Sequence, residues 1–483
     1  MTLTEPTPAP NLMEGQADSA RWLGMGEVVR MAIPTVLNTV SVTVMQFVDG
    51  WMVSHVSKEA LSAQFIGAVS SFVPISFFFG VFVCVSTYAS QNLGAGKPQR
   101  SAVYGWHGLW VAWMAAALLA PLILLAPRIL GQFGHAPHVT YLETRYFQIM
   151  IGGVVFALSS RALGQWFIGV HRPHINVIAG VAANGVNVLA NWVLIFGKFG
   201  FPALGLIGAG IGTVLGFFVE AVILGTVFLL NGAGREFNVW QALGFRWAAV
   251  KDLFRLGAPI GGMFVGEVLM WAIFMGHIIG GFGTASLAAA AILNRYWHLC
   301  FMPAIGVGSA IQAIVGRYCG AGRPKLARRR AYAGLILIEA YMVTVGLAIW
   351  LGRDTLVGLF NESGDSEVQA IATSAAIFIV ICQAFDAMSI AFAGALRGAG
   401  DTVWPSVVQL LMAYGLGLGG SSLIAYLRPE WGILGPWGMV SVYIMILGCV
   451  IGGRFVSGKW RKMAVVETPP APMVDELTDL PPA

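Results

Sequence analysis

The chain repeats itself at a fixed offset. Gly94-Ala95-Gly96-Lys97-Pro98 returns as Gly320-Ala321-Gly322-Arg323-Pro324, 226 residues later in a chain of 483. At the same offset Gly50 meets Gly276, Leu61 meets Leu287, Ala63 meets Ala289, Ile66 meets Ile292, and Gly80-Val81 meets Gly306-Val307. Pro34 and Pro259 fall one residue out of step. The chain is 57% hydrophobic and only 11% charged, where soluble domains carry charge on about a quarter of their residues. Two equal apolar halves are what a carrier built from internal repeats looks like, its pathway running between two lobes.

A helix needs about 20 apolar residues to cross a bilayer. Twelve stretches qualify, near 31–54, 61–90, 102–126, 142–164, 174–196, 207–230, 254–278, 285–316, 331–351, 368–394, 404–427 and 433–455. The second and eighth are long enough to tilt or to project from the membrane, and they hold the same place in the two halves. The expected fold is an all-α membrane protein of twelve transmembrane helices in two pseudo-symmetric six-helix lobes. With both termini cytoplasmic, 21 of the 28 Lys and Arg fall in cytoplasmic segments and helix ends. Five (Lys58, Arg128, Lys198, Arg353 and Arg428) fall outside, and Arg145 and Arg295 lie within spans. Basic loops stay in the cytoplasm, which sets this orientation. Six spans per half is an even number, so both halves enter the membrane in the same direction. The expected organisation is a disordered tail 1–28, an N-lobe 29–230, a cytoplasmic linker 231–253, a C-lobe 254–456 and a disordered tail 457–483.

Other function classes find little support. The net charge of +5 belongs to loops at a membrane surface, so no nucleic-acid partner is expected. Cys84, Cys300, Cys319, Cys382 and Cys449 are isolated in or beside apolar runs, which suits packing rather than disulfides or zinc. No cleavable signal peptide is visible in the polar, Pro-rich residues 1–20. Gly415-x-Gly417-x-x-Gly420 fits a dinucleotide fingerprint only as a pattern; inside an apolar span it reads as close helix packing. Asn361-Glu362-Ser363 matches a glycosylation sequon of the kind that arises by chance. There is no nucleophile–base pair, no metal-ligand cluster and no nucleotide loop. The chain is not expected to be an enzyme, and it needs no cofactor beyond a coupling ion, H⁺ or Na⁺.

Ionisable residues inside spans are costly and are functional suspects by default. They are Asp49, Glu220, Glu267, Glu339 and Asp386, with Arg295 the one base well inside a span; Glu143 and Arg145 lie near an outer end, within reach of water. Asp49 either snorkels at the outer interface or titrates. Asn184, Asn187 and Asn191 recur one helical turn apart, so their amides share a face, for interhelical bonding or for ligand. Glu267 and Asp386 repel if both are ionised, so one is protonated, a small cation such as Na⁺ sits between them, or Arg295 neutralises them. Glu220 and Glu339 have no partner that the sequence names. Trp271, Asn294, Arg295 and Tyr296 are the polar and aromatic candidates for a substrate cavity, with Trp297 and Phe264 nearby, although aromatics also pack cores.

These residues resemble the multidrug and toxic compound extrusion (MATE) family, and most of all its bacterial NorM-type branch. The likeness runs over about 25–455. It is carried by Ile33-Pro34 with Phe47-Val48-Asp49, Gly94-Ala95-Gly96, and Asn187-x-x-x-Asn191-Trp192 before Gly197-Lys198-Phe199-Gly200 and the glycine-rich Gly205–Gly212. Leu256-Gly257-x-Pro259 leads to Glu267, and Phe385-Asp386-Ala387 to Gly394-Ala395-Leu396-Arg397-Gly398. The resemblance implies a monomeric antiporter of the bacterial inner membrane that exports organic cations or amphipathic compounds in exchange for H⁺ or Na⁺. It implies a protonation site at Asp49 and a C-lobe cation site at Glu267 and Asp386. Arg295 and Glu220 depart from the family pattern. The alternative is a flippase for lipid-linked or polysaccharide intermediates, which would favour bases over acids in the cavity. Between the ions, H⁺ is the expectation, because Arg295 is expected to share the space of the Glu267–Asp386 pair.

Overall fold

The computed structural model describes residues 24–230, 236–361 and 365–466. Most of both expected tails, residues 231–235 of the expected linker, and Glu362 and Ser363 of the sequon lie outside the described residues; the described ends of those tails are ordered rather than disordered, with residues 25–28 helical and Trp460 buried on the Phe455 ring. Among the described residues there is no strand. The first half holds α1 (Met25–Ser54), α2 (Lys58–Gly94), α3 (Pro98–Leu119), α4 (Leu122–Leu130), α5 (Pro137–Gly152), α6 (Val154–Gly169), α7 (His174–Phe196) and α8 (Leu206–Leu230). The second holds α9 (Trp247–Ile273), α10 (Thr284–Gly320), α11 (Pro324–Leu351), α12 (Arg353–Phe360), α13 (Ser366–Ala375), α14 (Ile377–Ala399), α15 (Val403–Met412), α16 (Ser421–Leu427) and α17 (Leu434–Val456). Among the described residues eleven helices are long and apolar enough to span a membrane, or twelve when α5 and α6, bent by 49°, count as one. The bend falls at Gly152-Gly153, where a Cβ on Gly153 would stand 2.4 Å from the Val214 side chain.

Two local features depart from the hydropathy reading. Helix α9 starts at Trp247, so the last seven residues of the expected linker already form its first turns. Lys251, Asp252 and Arg255 mask this to a hydropathy window, yet Ala249, Val250, Leu253 and Leu256 bury one face at helical spacing. The glycine run around Gly415–Gly420 adopts a π-helical stretch between α15 and α16, which leaves no strand–turn–helix for a nucleotide.

The repeated motif has a geometric reading, residue by residue. Gly94 and Gly320 stand where α2 and α10 cross. A Cβ on Gly94 would lie 1.9 Å from the Arg317 carbonyl oxygen, and one on Gly320 would lie 2.0 Å from that of Gln91. Gly96 and Gly322 take φ of 69° and 71°, the left-handed turn that glycine adopts without strain. Pro98 and Pro324 open α3 and α11, where a missing N–H costs nothing.

The first helix of each half leans on the second helix of the other half: α1 on α10 and α9 on α2. Gly80 of α2 meets the Gly261 backbone of α9, and its repeat mate Gly306 of α10 meets the Val36 backbone of α1. The buried cores follow this exchange. Val28, Met31 and Ala32 of α1 join the second half's core, and Ala249 to Met263 of α9 join the first half's.

Between the halves lies a cleft open at one end. In α2, Lys58 to Phe72 is mostly exposed or half-buried, with only Ala60, Ala63, Gly67 and Ser71 buried, whereas Gly80 to Asn92 is buried throughout. The buried end is sealed across the halves by side chain to backbone bonds. Gln91 Nε2 donates to the Gly398 oxygen at 2.9 Å, Gln312 Nε2 to Val83 at 2.9 Å, and Thr87 Oγ1 to Arg397 at 2.9 Å. His171, in the turn between α6 and α7, brings Nε2 to 3.2 Å from the Ala313 oxygen. Glu27 at the start of α1 accepts from Arg330 Nε at 2.7 Å and from the Tyr318 hydroxyl at 2.8 Å.

Candidate functional site

In the first half, three helices bring polar groups onto one carboxylate. Asn191 Nδ2 of α7 donates to Asp49 Oδ1 of α1 at 2.6 Å and lies 3.4 Å from Asn187 Oδ1. Thr213 Oγ1 of α8 donates to its own helix at Ala209, 3.0 Å away, and stands 3.5 Å from Asp49 Oδ2, so its single proton serves either acceptor. Gly212 lets α8 come this close, since a Cβ there would lie 2.0 Å from Asn191 Oδ1. Tyr146 of α5 closes the cluster beside Asp49 and Thr213. Asp49 is 6% exposed, and Asn187 and Asn191 are fully buried. The carboxylate therefore does not snorkel, and no base among the described residues faces it.

Asn187 Nδ2 and Asn191 Oδ1 are buried without a partner. This leaves one donor and one acceptor spare beside Asp49. Asn184 belongs elsewhere: its amide donates to the Ser41 carbonyl and hydroxyl and fastens α7 to α1. The sequence alone does not single out Thr213 or Tyr146. Thr213 directly follows the quoted glycine run, but nothing local marks Tyr146.

In the second half, Glu267 of α9 and Asp386 of α14 lie close enough for their charges to interact, with the Tyr443 hydroxyl of α17 beside both. Asp386 is 9% exposed and its Oδ2 has no partner. Trp271, one turn beyond Glu267, joins Trp297 and Trp437 in a cluster with ring centroids 6.0 and 6.3 Å from its own. The expected neutralising base is not there. Arg295 is exposed and lies 4.9 Å over the Phe360 ring. The Tyr296 hydroxyl donates to the Leu356 oxygen at 2.7 Å. Both residues thus brace α10 against α12, with Asn294 half-buried next to them. The positive charge that does reach Glu267 is Arg397, lower on α14.

The remaining suspects separate. Glu220 of α8 faces Ser160 and Arg161 of α6, and the Arg161 guanidinium lies 5.2 Å over the Phe79 ring. Arg161, at the end of the expected span 142–164 and counted among the cytoplasmic helix ends, provides Glu220 with the base that the sequence did not name. Glu339 is half-buried on α11 and gains no ion pair among the described residues. Glu143, expected to reach water, is fully buried and bonded to His135 Nδ1 at 2.9 Å.

Comparison with known proteins gives a consistent set of likenesses. The MatE family model matches residues 34–193 and 259–421, one segment in each half. A probable multidrug resistance protein NorM of Xanthomonas axonopodis pv. citri is 28% identical over 468 residues, 95% of this chain and 98% of that protein. Another of the same name, from Bradyrhizobium diazoefficiens, is 30% identical over 388 residues, 78% of this chain and 81% of that protein. Among solved structures, a variant of the Vibrio cholerae MATE transporter VcmN superposes with a TM-score of 0.82 at 18% identity, covering 92% of this chain and 99% of that one. A MATE family transporter described in an outward-facing conformation superposes equally well, with a TM-score of 0.82 at 16% identity over 94% of this chain and 100% of that one.

Proposed function

The chain belongs to the MatE family of multi-pass membrane transporters and is not an enzyme; on that premise we propose that it exports organic cations and amphipathic small molecules in exchange for protons, as a monomer, by alternating access. The observation that carries the reading is Asp49, a buried carboxylate held by the neutral Asn191 and Thr213 with spare polar capacity around it. Such a group exchanges a proton without needing a built cage of oxygens. Lys97, Arg100, Arg317, Arg323 and Lys325 cluster at the sealed end, which supports placing that end, with both termini, in the cytoplasm of a bacterial inner membrane. The arrangement described is then the outward-open one.

Helix α1 links the parts. Its 30 residues extend about 45 Å at 1.5 Å each, with Asp49 near one end, Val36 against Gly306 in the middle and Glu27 at the sealed end. Protonation of Asp49 removes the charge that Asn191 and Thr213 hold, and a shift of α1 bears directly on the other half and on the seal. One charge moved inward across 100 mV releases about 2.3 kcal/mol, enough for roughly fifty-fold accumulation of a neutral substrate. A phosphate-bearing lipid-linked intermediate would call for bases; acids gathered in both halves support a cationic substrate instead.

Transport in proteoliposomes under separately imposed proton and Na⁺ gradients tests the coupling. Uncouplers should stop efflux, and replacing Na⁺ with choline should not; the reverse pattern refutes proton exchange. One observation favours a second reading. With Arg295 on Phe360, the Glu267–Asp386–Tyr443 cluster is free of that competing guanidinium, so Na⁺ at this site is the rival. It requires a Na⁺ dependence that Glu267→Gln abolishes and Asp49→Asn retains.

A further inference from the structure

Where α9 leans across α2, a groove of about 360 Å³ opens toward the membrane. Its walls include Phe78 of α2, Met114 and Leu118 of α3, and Trp247 and Phe254 of α9, with Lys251 as the charged group on its rim. Trp247, Lys251 and Arg255 recur every four residues and form one stripe of α9. Arg246, directly before the helix, is held in place by its backbone N–H, which donates to His107 Nε2 at 2.8 Å. Arg246, Lys251 and Arg255 are all exposed, and none pairs with an acid among the described residues. The one acid of this stretch is turned away: Asp252 accepts from the Tyr104 hydroxyl at 3.1 Å, inside the first half. The outward surface is therefore apolar in the groove and positive at its rim. Phe245 and Trp247 are 49% and 57% exposed at the same level, as aromatics are where a bilayer's hydrocarbon meets its headgroups.

We propose that this groove binds an anionic phospholipid of the leaflet facing the basic loops, one acyl chain lying along Met114 and Leu118 and the phosphate held by Lys251 on the rim, with the exposed Arg246 and Arg255 adding positive charge along the same end of α9. The charge chooses the occupant. A zwitterionic lipid or a detergent tail fills the apolar part equally well but leaves Lys251 and the positive charge along this end of α9 unmatched, and basic pockets between helices on the cytoplasmic side favour anionic headgroups. The groove lies on the joint where the second half's first helix crosses the first half, so its occupant also bears on how the lobes sit together. The site rests on the membrane placement of the chain and on neither the coupling ion nor the exported substrate, and a failed transport assay leaves it standing.

The test uses the full purified chain in detergent, supplemented with phosphatidylglycerol or with phosphatidylcholine of the same acyl chains. Thermal unfolding and native mass spectrometry read the result. Phosphatidylglycerol should raise the unfolding temperature by several degrees more than phosphatidylcholine and should survive as a bound adduct. The combined Arg246→Gln, Lys251→Gln and Arg255→Gln variant should lose the difference between the lipids. Leu118→Trp, which fills the groove from an exposed position, should lose the retained adduct with all three bases intact. Equal shifts from the two lipids in the unaltered chain, an undiminished preference in the triple variant, or full retention in Leu118→Trp would each overturn the assignment.

Discussion

Removing the charge of Glu27 should shift the balance between the two faces of the transporter. In the sealed arrangement one Glu27 oxygen accepts from Arg330 Nε at 2.7 Å and from the Tyr318 hydroxyl at 2.8 Å. Arg330 is 1% exposed, so bulk salt screens this pair little. A hydrogen bond to a charged group contributes about 1.5–3 kcal/mol and a neutral one about 0.5–1.5. Glu27→Gln keeps the shape but makes the Tyr318 bond a neutral one and leaves the Arg330 bond with charge on its donor only, a loss of about 1–2 kcal/mol from the sealed state alone. At 1.4 kcal/mol per factor of ten, that moves the two-state equilibrium roughly five- to thirty-fold toward opening of the sealed end. Spin labels on cysteines replacing Lys58 and Thr284, exposed residues at the open rim, report the change as a narrower distance. Cys449 is the one exposed native cysteine, and Cys449→Ser prepares the background. A distance distribution unchanged in both Glu27→Gln and Arg330→Met would refute the latch.

Asp49→Asn should lower efflux by at least about tenfold while the unfolding temperature stays near that of the unaltered chain, because shape and polarity persist and only the titratable charge is lost; efflux at the original rate would end the coupling role. Arg295→Met should cost no more than about 1 kcal/mol of stability, the value of an exposed cation–π contact; a much larger loss in thermal unfolding would restore Arg295 as the neutraliser of the acid pair. The seal should also respond to pH through His171, which lies outside the spanning helices. Burial, then the Arg317 charge, lowers its pKa from 6.5 to about 3. An opened state whose imidazole reaches water binds a proton between those values and the sealed state does not, so the seal is firmest above about 6.5 and weakens as pH falls. Acidifying the sealed side from about 7.5 to 5.5 should populate the narrow-rim distance, and His171→Gln should blunt this; an identical pH response in the variant would exclude the histidine.

Much of the architecture is visible without coordinates, and what is visible is local. A span announces itself by some twenty apolar residues in a row, the orientation follows from which loops hold Lys and Arg, and the repeat is a matter of matching letters at an offset of 226. Even Gly-Ala-Gly-[Lys/Arg]-Pro encodes a local event, a glycine turn before a helix that starts on proline. The acids worth suspecting were legible too, because a carboxylate within an apolar run is conspicuous wherever it points. What each acid meets was not. Asp49 finds Thr213 and Tyr146 on helices far along the chain, Glu220 finds Arg161, and Arg295, inviting beside Glu267 on paper, sits on Phe360 instead. These pairings depend on the rotation of each helix about its axis and on the exchange that sets α1 against α10 and α9 against α2. Hydropathy is nearly blind to rotation when a helix is apolar all round, and the exchange leaves little more than glycines, Gly80, Gly257 and Gly261 at one crossing and Gly306 at the other, to mark where two backbones touch. The sequence by itself determined a two-fold, twelve-span carrier with buried acids in both halves. Tertiary structure alone decided which of those acids keep company with a base and which have only neutral partners, because the surroundings of a buried charge are made by residues distant in sequence.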